Sequence, residues 1–452
     1  MPFTDEQPFL DAVFARYHDD GPRFIYADFL DDAGDPDRAE LVRVQVALAR
    51  MAEDHPRRKE LTALQGELLG ANEARWSEHL SDLVEPSECE FRRGVLDSVV
   101  VDAAMFLARG EELFSRVPLR RIRLRDAAGV MSDLTTSPLL ANVLELDLCE
   151  NHLGNGGVNL LVRAQFLKNL DALDLGFNGI DDAGVHALAR ASTLPKLTSL
   201  SLNLNDRITS AGLVELAQSP FFTGLTALDV SSNDIDDAGV RAVIASKSLS
   251  RLHTLRLSYN HIGDAGVIAL ARSELLGRMI ARSTRLELQT NEIGPVGAEA
   301  LAGSPLLSRC NSLDLKNNAI GNNGLAVILG SPYLQNLRVL KVGRNQITGG
   351  GVIALRESLP RVFTHLRVLD LSDNRLTDHG IRILETANLN GAVLIDVSGN
   401  NQASAGGEPP IPVGDLMPGV LQGVTDAADA AELRRRVAHP TMRAGERPNQ
   451  TS

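Results

Sequence analysis

The side chains best suited to covalent or metal chemistry are few in this chain and badly spaced for it. Cys89, Cys149 and Cys310 form no C-x-x-C pair, so neither a disulfide framework nor a zinc site is expected. The 10 histidines are scattered, and no H-E-x-x-H helix occurs. There is no G-x-x-x-x-G-K-[ST] loop to cradle phosphates and no G-x-S-x-G elbow to present a serine. The glycine-rich strings Gly154-Asn155-Gly156-Gly157 and Gly349-Gly350-Gly351 fall in turns, where backbone freedom explains them. No catalytic residue, cofactor site or metal site is expected.

Other residues recur at a fixed interval and offer recognition chemistry instead. One series runs Arg123, Asp147, Asp174, Ser201, Asp229, Arg256, Glu287, Asp314, Lys341, Asp370 and Asp396; 7 of these 11 are acidic, which favours a basic or mixed-charge partner, although part of that signal is generic solubility. A neighbouring series holds Phe177, Leu204, Ser232 and Tyr259. Two readings of its rings stand side by side. They form an exposed binding hot spot flanked by Asp174, Asp229 and Arg256, or they fold over a turn and complete its packing. The expected partner-binding set is Asp147, Asp174, Phe177, Leu204, Asp229, Arg256, Tyr259 and Glu287.

The elements that must position these side chains are repeats. The phrase L-x-x-L-x-L-x-x-N occurs as Leu170-x-x-Leu173-x-Leu175-x-x-Asn178, and again ending at Asn260 and Asn374, with Val230 for the third leucine in the copy ending at Asn233. Aligned copies place asparagines at 151, 178, 205, 233, 260, 291, 318, 345, 374 and 400, spaced by 27, 27, 28, 27, 31, 27, 27, 29 and 26 residues. A weaker copy, Leu119-x-x-Ile122-x-Leu124, has Ala127 in place of the asparagine. Leu-x-Leu alternation is a short strand with one apolar face. After each asparagine come an apolar residue, a polar turn, a glycine and apolar residues at helical spacing, as in Gly184, Val185, Leu188 and Ala189. Asp-Asp-Ala-Gly at 181–184 and 236–239 suits a helix start, where carboxylates cap free N–H groups. Each unit is therefore strand, turn, helix and return. Strands stack about 4.8 Å apart but helices need about 8–10 Å, so the stack curves with its strands inside. The asparagine is expected within the turn, satisfying buried backbone groups. Asn205-Asp206-Arg207-Ile208 carries one extra residue, and the 31-residue unit carries Leu276-Gly277-Arg278-Met279-Ile280 on its outer return. Both are read as lengthened surface loops, with a hinge or partner-specific protrusion as the alternative.

Residues 95–400 resemble the leucine-rich repeat, specifically the long class of ribonuclease inhibitor and Ran GTPase-activating protein. The resemblance implies an α/β solenoid: a horseshoe with parallel strands on the concave face and helices on the convex face. Ahead of it, residues 1–80 show helical patterning in Phe9, Val13, Phe14 and Tyr17, across Phe24 to Leu30, in Leu41, Val44, Leu48 and Met51, and from Arg57 to Leu80. Gly34-Asp35-Pro36 is a helix stop, an N-cap and a first-turn proline. The string Asp20 to Leu30, with Gly34-Asp35-Pro36 and Glu40 to Gln45, is similar to the repeat-companion domain that precedes leucine-rich repeats in planctomycete bacterial proteins. Asp28, Asp35, Glu40 and Arg43 form either a site or, more cheaply, caps and surface pairs. Phe91 to Leu96, leading into Val99–Val101, is expected to be the first capping strand, which a solenoid needs to close its core.

The expected domains are thus a helical region at 1–80, the solenoid at 81–400 and a mostly disordered tail at 401–452. The tail is rich in Gly, Pro and Ala, with a short helix near Ala427–Val437 carrying Arg434-Arg435-Arg436. The net charge of −13 opposes binding to nucleic acid. No run of about 18 apolar residues occurs and the N-terminus lacks a signal-peptide pattern, so a cytoplasmic protein with no membrane partner is expected. A monomer is expected, and the companion-domain resemblance implies a bacterial source. The leading expectation is a scaffold that binds another protein on the concave face and is not an enzyme. Regulation of a small GTPase is the alternative, implied only by the resemblance to the Ran activator, whose acidic tail is absent here. An inhibitor like ribonuclease inhibitor is disfavoured, since that family is cysteine-rich and this chain has 3 cysteines.

Overall fold

The computed structural model describes residues 6–17, 19–51, 55, 57–353, 365–386 and 393–400. Four helices come first: α1 Gln7–Ala15, α2 Gly21–Asp32, α3 Pro36–Arg50 and α4 Arg58–Ser77. Gly34 sits at φ +86°, Asp35 caps the N–H of Arg38, and Pro36 opens α3, as the sequence required. Asp35 also accepts from Trp76 Nε1 at 3.0 Å, while Arg43 bonds Asp28 and Asp31 at 2.9 and 2.7 Å. Caps and surface pairs thus account for Asp28, Asp35 and Arg43.

The capping element is a hairpin rather than a single strand. β1 Cys89–Arg92 pairs antiparallel with β2 Val95–Asp102 through a turn at Arg93 and Gly94, both at positive φ. Gln45 of α3 grips this turn, donating to Phe91 O at 2.9 Å and accepting from Gly94 N at 2.6 Å. Only glycine fits there: a Cβ on Gly94 would lie 2.2 Å from Val42 Cγ2. Leu41, Trp76 and Leu80 of the helical region belong to the same buried core that runs on to Val397.

From β2 the chain coils. α5 Ala103–Arg116, β3 Arg121–Arg125, α6 Met131–Thr136, β4 Glu145–Asp147, α7 Gly154–Leu161, β5 Ala172–Asp174 and α8 Asp182–Ala189 lead on to β6 Ser199–Ser201, α9 Ser210–Gln218, β7 Ala227–Asp229, α10 Asp237–Ala245 and β8 Thr254–Arg256. α11 Asp264–Ala271, α12 Glu274–Arg282, β9 Arg285–Glu287, α13 Pro295–Ala302, β10 Ser312–Asp314 and α14 Gly321–Leu329 continue the pattern. β11 Val339–Lys341, β12 Val368–Asp370, α15 Asp378–Thr386 and β13 Leu394–Asp396 complete it. Strands β2 to β8 are parallel neighbours in sequence order, as are β9 to β13. Leu146, Leu173, Leu200, Leu228 and Leu255 stand in register, all buried.

Two ladders of side chains stitch the coils together. Asn178 Nδ2 donates to Leu148 O at 2.8 Å, one coil back, and its Oδ1 accepts from Asn151 N and Leu153 N at 3.1 and 3.2 Å. Asn205, Asn260, Asn318, Asn345 and Asn400 repeat this theme, each accepting from a backbone N–H that would otherwise be buried unpaired. At the helix starts, Asp181 and Asp236 cap Ala183 N and Ala238 N at 2.9 and 2.7 Å. Asp237 Oδ1 accepts Gly263 N of the next coil at 2.8 Å. It also occupies the space beside Gly266, where a Cβ would come within 2.5 Å of it.

Of the two irregular coils, the Asn205–Ile208 insertion is a surface turn with Asp206 and Arg207 exposed, as the loop reading expected, whereas the other departs from it. The 31-residue unit holds a helix, α12, which buries Leu275, Leu276, Met279 and Ile280 and donates from Arg278 Nε to Leu252 O at 2.9 Å. Packed there, it accompanies a division of the strands into an 8-stranded and a 5-stranded sheet between β8 and β9. The extra residue after Asn205 makes Ile208 N bond Asn205 O at 2.9 Å instead of the next asparagine. Asn233 Oδ1 is consequently buried without a partner.

Candidate functional site

The sheet face is built by the residues between the strand leucines. Arg123, Asp147, Asp174, Ser201, Asp229 and Arg256 are lateral neighbours in one sheet. Glu287, Asp314, Lys341, Asp370 and Asp396 are neighbours in the other. Asp147, Asp174, Asp229 and Arg256 therefore come together, whereas Glu287 opens the second sheet. The acidic series is largely neutralised from within. Arg256 pairs with Asp229 at 3.1 Å, Lys341 with Asp314 at 3.1 Å, Lys316 with Asp370 at 3.5 Å and Arg123 with Asp147 at 3.7 Å. Summed charge thus overstates how acidic this face is.

Glu287 and Asp396 make no ion pair among the described residues, and neither does Asp174. Its Oδ1 accepts from Gly176 N at 2.8 Å, yet burial, and then the neighbouring Asp147, push its carboxyl above the ordinary range. Beside it lies Cys149, two positions beyond the strand column, a proximity that only the stacking of adjacent coils creates. Ligand atoms of Asp147, Cys149 and Asp174 all lie within 4.8 Å of one another. Burial, then Asp174 and Asp147, raises the Cys149 thiol to about 11, so it is a protonated, unreactive thiol at neutral pH. The face is hollowed here into a recess of about 360 Å³, walled by Glu90, Arg121, Arg123, Glu145, Asp147 and Asp174 among others.

Phe177, Leu204 and Tyr259 stand elsewhere than between the strand leucines. They lie three residues beyond the ends of β5, β6 and β8, along the C-terminal margin of the sheet. Every one is in the left-handed backbone region, with φ of 50, 55 and 58°, as is Ser232 between them at 57°. The turn demands this: it delivers Phe177 N to Asn203 O at 2.9 Å and Tyr259 N to Gln289 O at 2.9 Å, extending the ladder past the strands. Glycine or asparagine would occupy such a position most cheaply, and a bulky side chain there costs about 1–2 kcal/mol. The three side chains are nevertheless 47, 48 and 53% exposed. Phe177 has the His152 ring 6.5 Å away, centroid to centroid.

The family comparison agrees with this architecture. A family model described as Leucine Rich repeat matches eight times, at residues 167–189, 193–217, 224–243, 250–271, 284–302, 311–329, 333–355 and 364–382. Residues 167–382 thus carry leucine-rich repeats. Among solved structures, this leucine-rich-repeat chain is similar to an internalin from Listeria monocytogenes, at 23% identity over 62% of this chain and 74% of that one, with a TM-score of 0.40. It is also similar to the ectodomain of the Arabidopsis receptor kinase HAESA, solved with an N-terminally extended IDA peptide hormone ligand. There the identity is 18%, over 53% of this chain and 36% of that one, with a TM-score of 0.32. No curated protein sequence matches the chain. Among the described residues, no helix is long and apolar enough to cross a membrane.

Proposed function

We propose that this leucine-rich-repeat protein is a non-enzymatic interaction scaffold that docks a partner protein on its sheet face and the adjoining margin. The observation that carries the reading is the strip of Phe177, Leu204 and Tyr259. Three large apolar side chains sit half exposed at backbone positions that disfavour them, so packing and turn geometry give no reason for their presence. Asp147, Asp174, Asp229, Arg256 and Glu287 surround this strip with charge that sets orientation and discriminates among partners. The helical region at 1–80, read as a repeat-companion domain, serves as the solenoid's N-terminal cap, a role supported by the Gln45 grip and the shared core. A monomer in a reducing, cytoplasmic compartment of a bacterium, with no nucleic-acid partner, completes the proposal. The absence of disulfides among Cys89, Cys149 and Cys310 and the net charge of −13 support its compartment and its charge selectivity. No observation favours the GTPase-regulator alternative. The proposed basic tail around Arg434-Arg435-Arg436 lies outside the described residues.

The test is affinity purification with mass spectrometry, using wild-type chain and a Phe177→Ala/Tyr259→Ala double variant as bait. Specific partners are expected to disappear with the variant while its thermal midpoint holds. A loss of stability with unchanged capture would assign the rings to packing and end the reading.

A further inference from the structure

The recess and the apolar strip are contiguous. Asp174 lines the recess, and Phe177, three residues further along the same coil, begins the strip. The recess wall contains four carboxylates, Glu90, Glu145, Asp147 and Asp174, against two guanidinium groups, Arg121 and Arg123. Arg121 pairs with Glu145 and Arg123 lies against Asp147, which leaves two carboxylates uncompensated: Glu90, exposed at the rim, and Asp174, in the partly desolvated hollow. A volume of about 360 Å³ is at the small end for a ligand pocket, suited to one or two side chains rather than to a folded element. Coils repeat about every 4.8 Å, so Phe177 to Tyr259, three coils on, spans about 14 Å, the length of about four extended residues.

We infer that the scaffold takes an extended segment of its partner, which seats one lysine or arginine side chain in the recess beside Asp147 and Asp174 and lays apolar side chains along Phe177, Leu204 and Tyr259. This rests on the scaffold reading above and adds the chemistry of the partner. The cation is held by charge complementarity where the face is locally unbalanced, and the apolar strip supplies the buried area. A metal ion on Asp147, Cys149 and Asp174 is the competing occupant. It is disfavoured because binding must first strip a proton from a thiol held protonated to about pH 11.

Phage-displayed random nonapeptides selected on the full chain test the inference. Enriched sequences are expected to share one Lys or Arg followed within about five residues by large apolar side chains. Synthetic peptides of those sequences, measured by fluorescence anisotropy, are expected to lose at least about tenfold in affinity for an Asp147→Asn/Asp174→Asn variant, and for Phe177→Ala/Tyr259→Ala. Asparagine retains an oxygen to accept from Cys149 N and Gly176 N, and matched circular-dichroism melts verify that the variants fold. Selected peptides without a shared basic residue, or indifferent to the Asp147/Asp174 variant, overturn the inference. If those peptides still require Phe177 and Tyr259, the scaffold reading survives alone. Absence of any enrichment overturns both. A thermal shift with zinc chloride, abolished by Cys149→Ser, in a chain that selects no basic peptide, makes the cluster a metal site and overturns the inference.

Discussion

Replacing Asn178 with alanine should cost far more stability than replacing Asn233, although both are buried ladder asparagines in adjacent stretches of the same sheet. Asn178 satisfies Leu148 O through Nδ2 at 2.8 Å and accepts from Asn151 N and Leu153 N through Oδ1 at 3.1 and 3.2 Å. Truncation strands three main-chain groups away from water. At about 1–3 kcal/mol for each buried group left unmade, the cost is about 3–9 kcal/mol. Asn233 presents a different account. Its Oδ1 has no partner, and its Nδ2 donates to Leu202 O, Val230 O and Ser231 O at 3.0, 3.0 and 3.2 Å. Each of these carbonyls has a second donor, from Asn205 Nδ2, Asn260 Nδ2 and Leu204 N respectively. Alanine here orphans no backbone group and removes one unsatisfied oxygen, for a loss of about 1 kcal/mol or less. Urea titrations followed by far-ultraviolet circular dichroism read the difference as a shift in midpoint at constant slope. Equal losses in the two variants would refute the reasoning, because the ladder would then stabilise by packing alone rather than by satisfying main-chain groups.

Other outcomes follow from the same geometry. Gly266→Ala should destabilise by about 1–3 kcal/mol through overpacking, because its Cβ would meet Asp237 Oδ1 at 2.5 Å; thermal melts should show the penalty reduced in a Gly266→Ala/Asp237→Ala background. Tyr259→Asn should leave the melting temperature unchanged or slightly higher, since asparagine tolerates the left-handed backbone at φ 58°, while weakening peptide capture in the anisotropy assay. Native alkylation by iodoacetamide at pH 8 should label Cys149 on the order of a hundredfold more slowly than a thiol at the ordinary value of 9.0, because its raised value of about 11 keeps it protonated. Asp174→Asn removes a negative neighbour, so mass spectrometry should show faster labelling. Asp82, held down to about 2 by hydrogen bonds from Arg116 and Arg109, should keep its carboxylate ionised until the pH falls toward that value. Carbon-detected NMR should follow it, and Arg116→Ala should raise it part of the way toward the ordinary range, with Arg109 still in place.

The phase of the coils was legible because buried strand leucines and ladder asparagines tolerate little variation, and Asp181 and Asp236 announce helix starts by capping chemistry. The left-handed turn was not legible. Its usual marker is glycine or asparagine, and Phe177, Leu204 and Tyr259 stand there instead. The apolar spacing of Leu275, Leu276, Met279 and Ile280 was a helical signal, obscured because it arrives as an insertion in an otherwise regular return. Pairing within the acidic column, and the approach of Cys149 to Asp174, depend on distances across coils that one-dimensional columns do not contain. For the same reason the excess charge at Asp174 emerges only after Asp229, Asp314 and Asp370 are seen to have cations of their own.

The seam between β8 and β9 gives Tyr259 a second significance. Strand pairing stops there, but main-chain bonds resume just beyond, with Tyr259 N on Gln289 O at 2.9 Å and Asn260 N on Thr290 O at 3.0 Å. The side chain proposed for docking thus belongs to a residue whose own amide joins the two sheets. The proposed docking ring and the joint between the two sheets therefore share one residue.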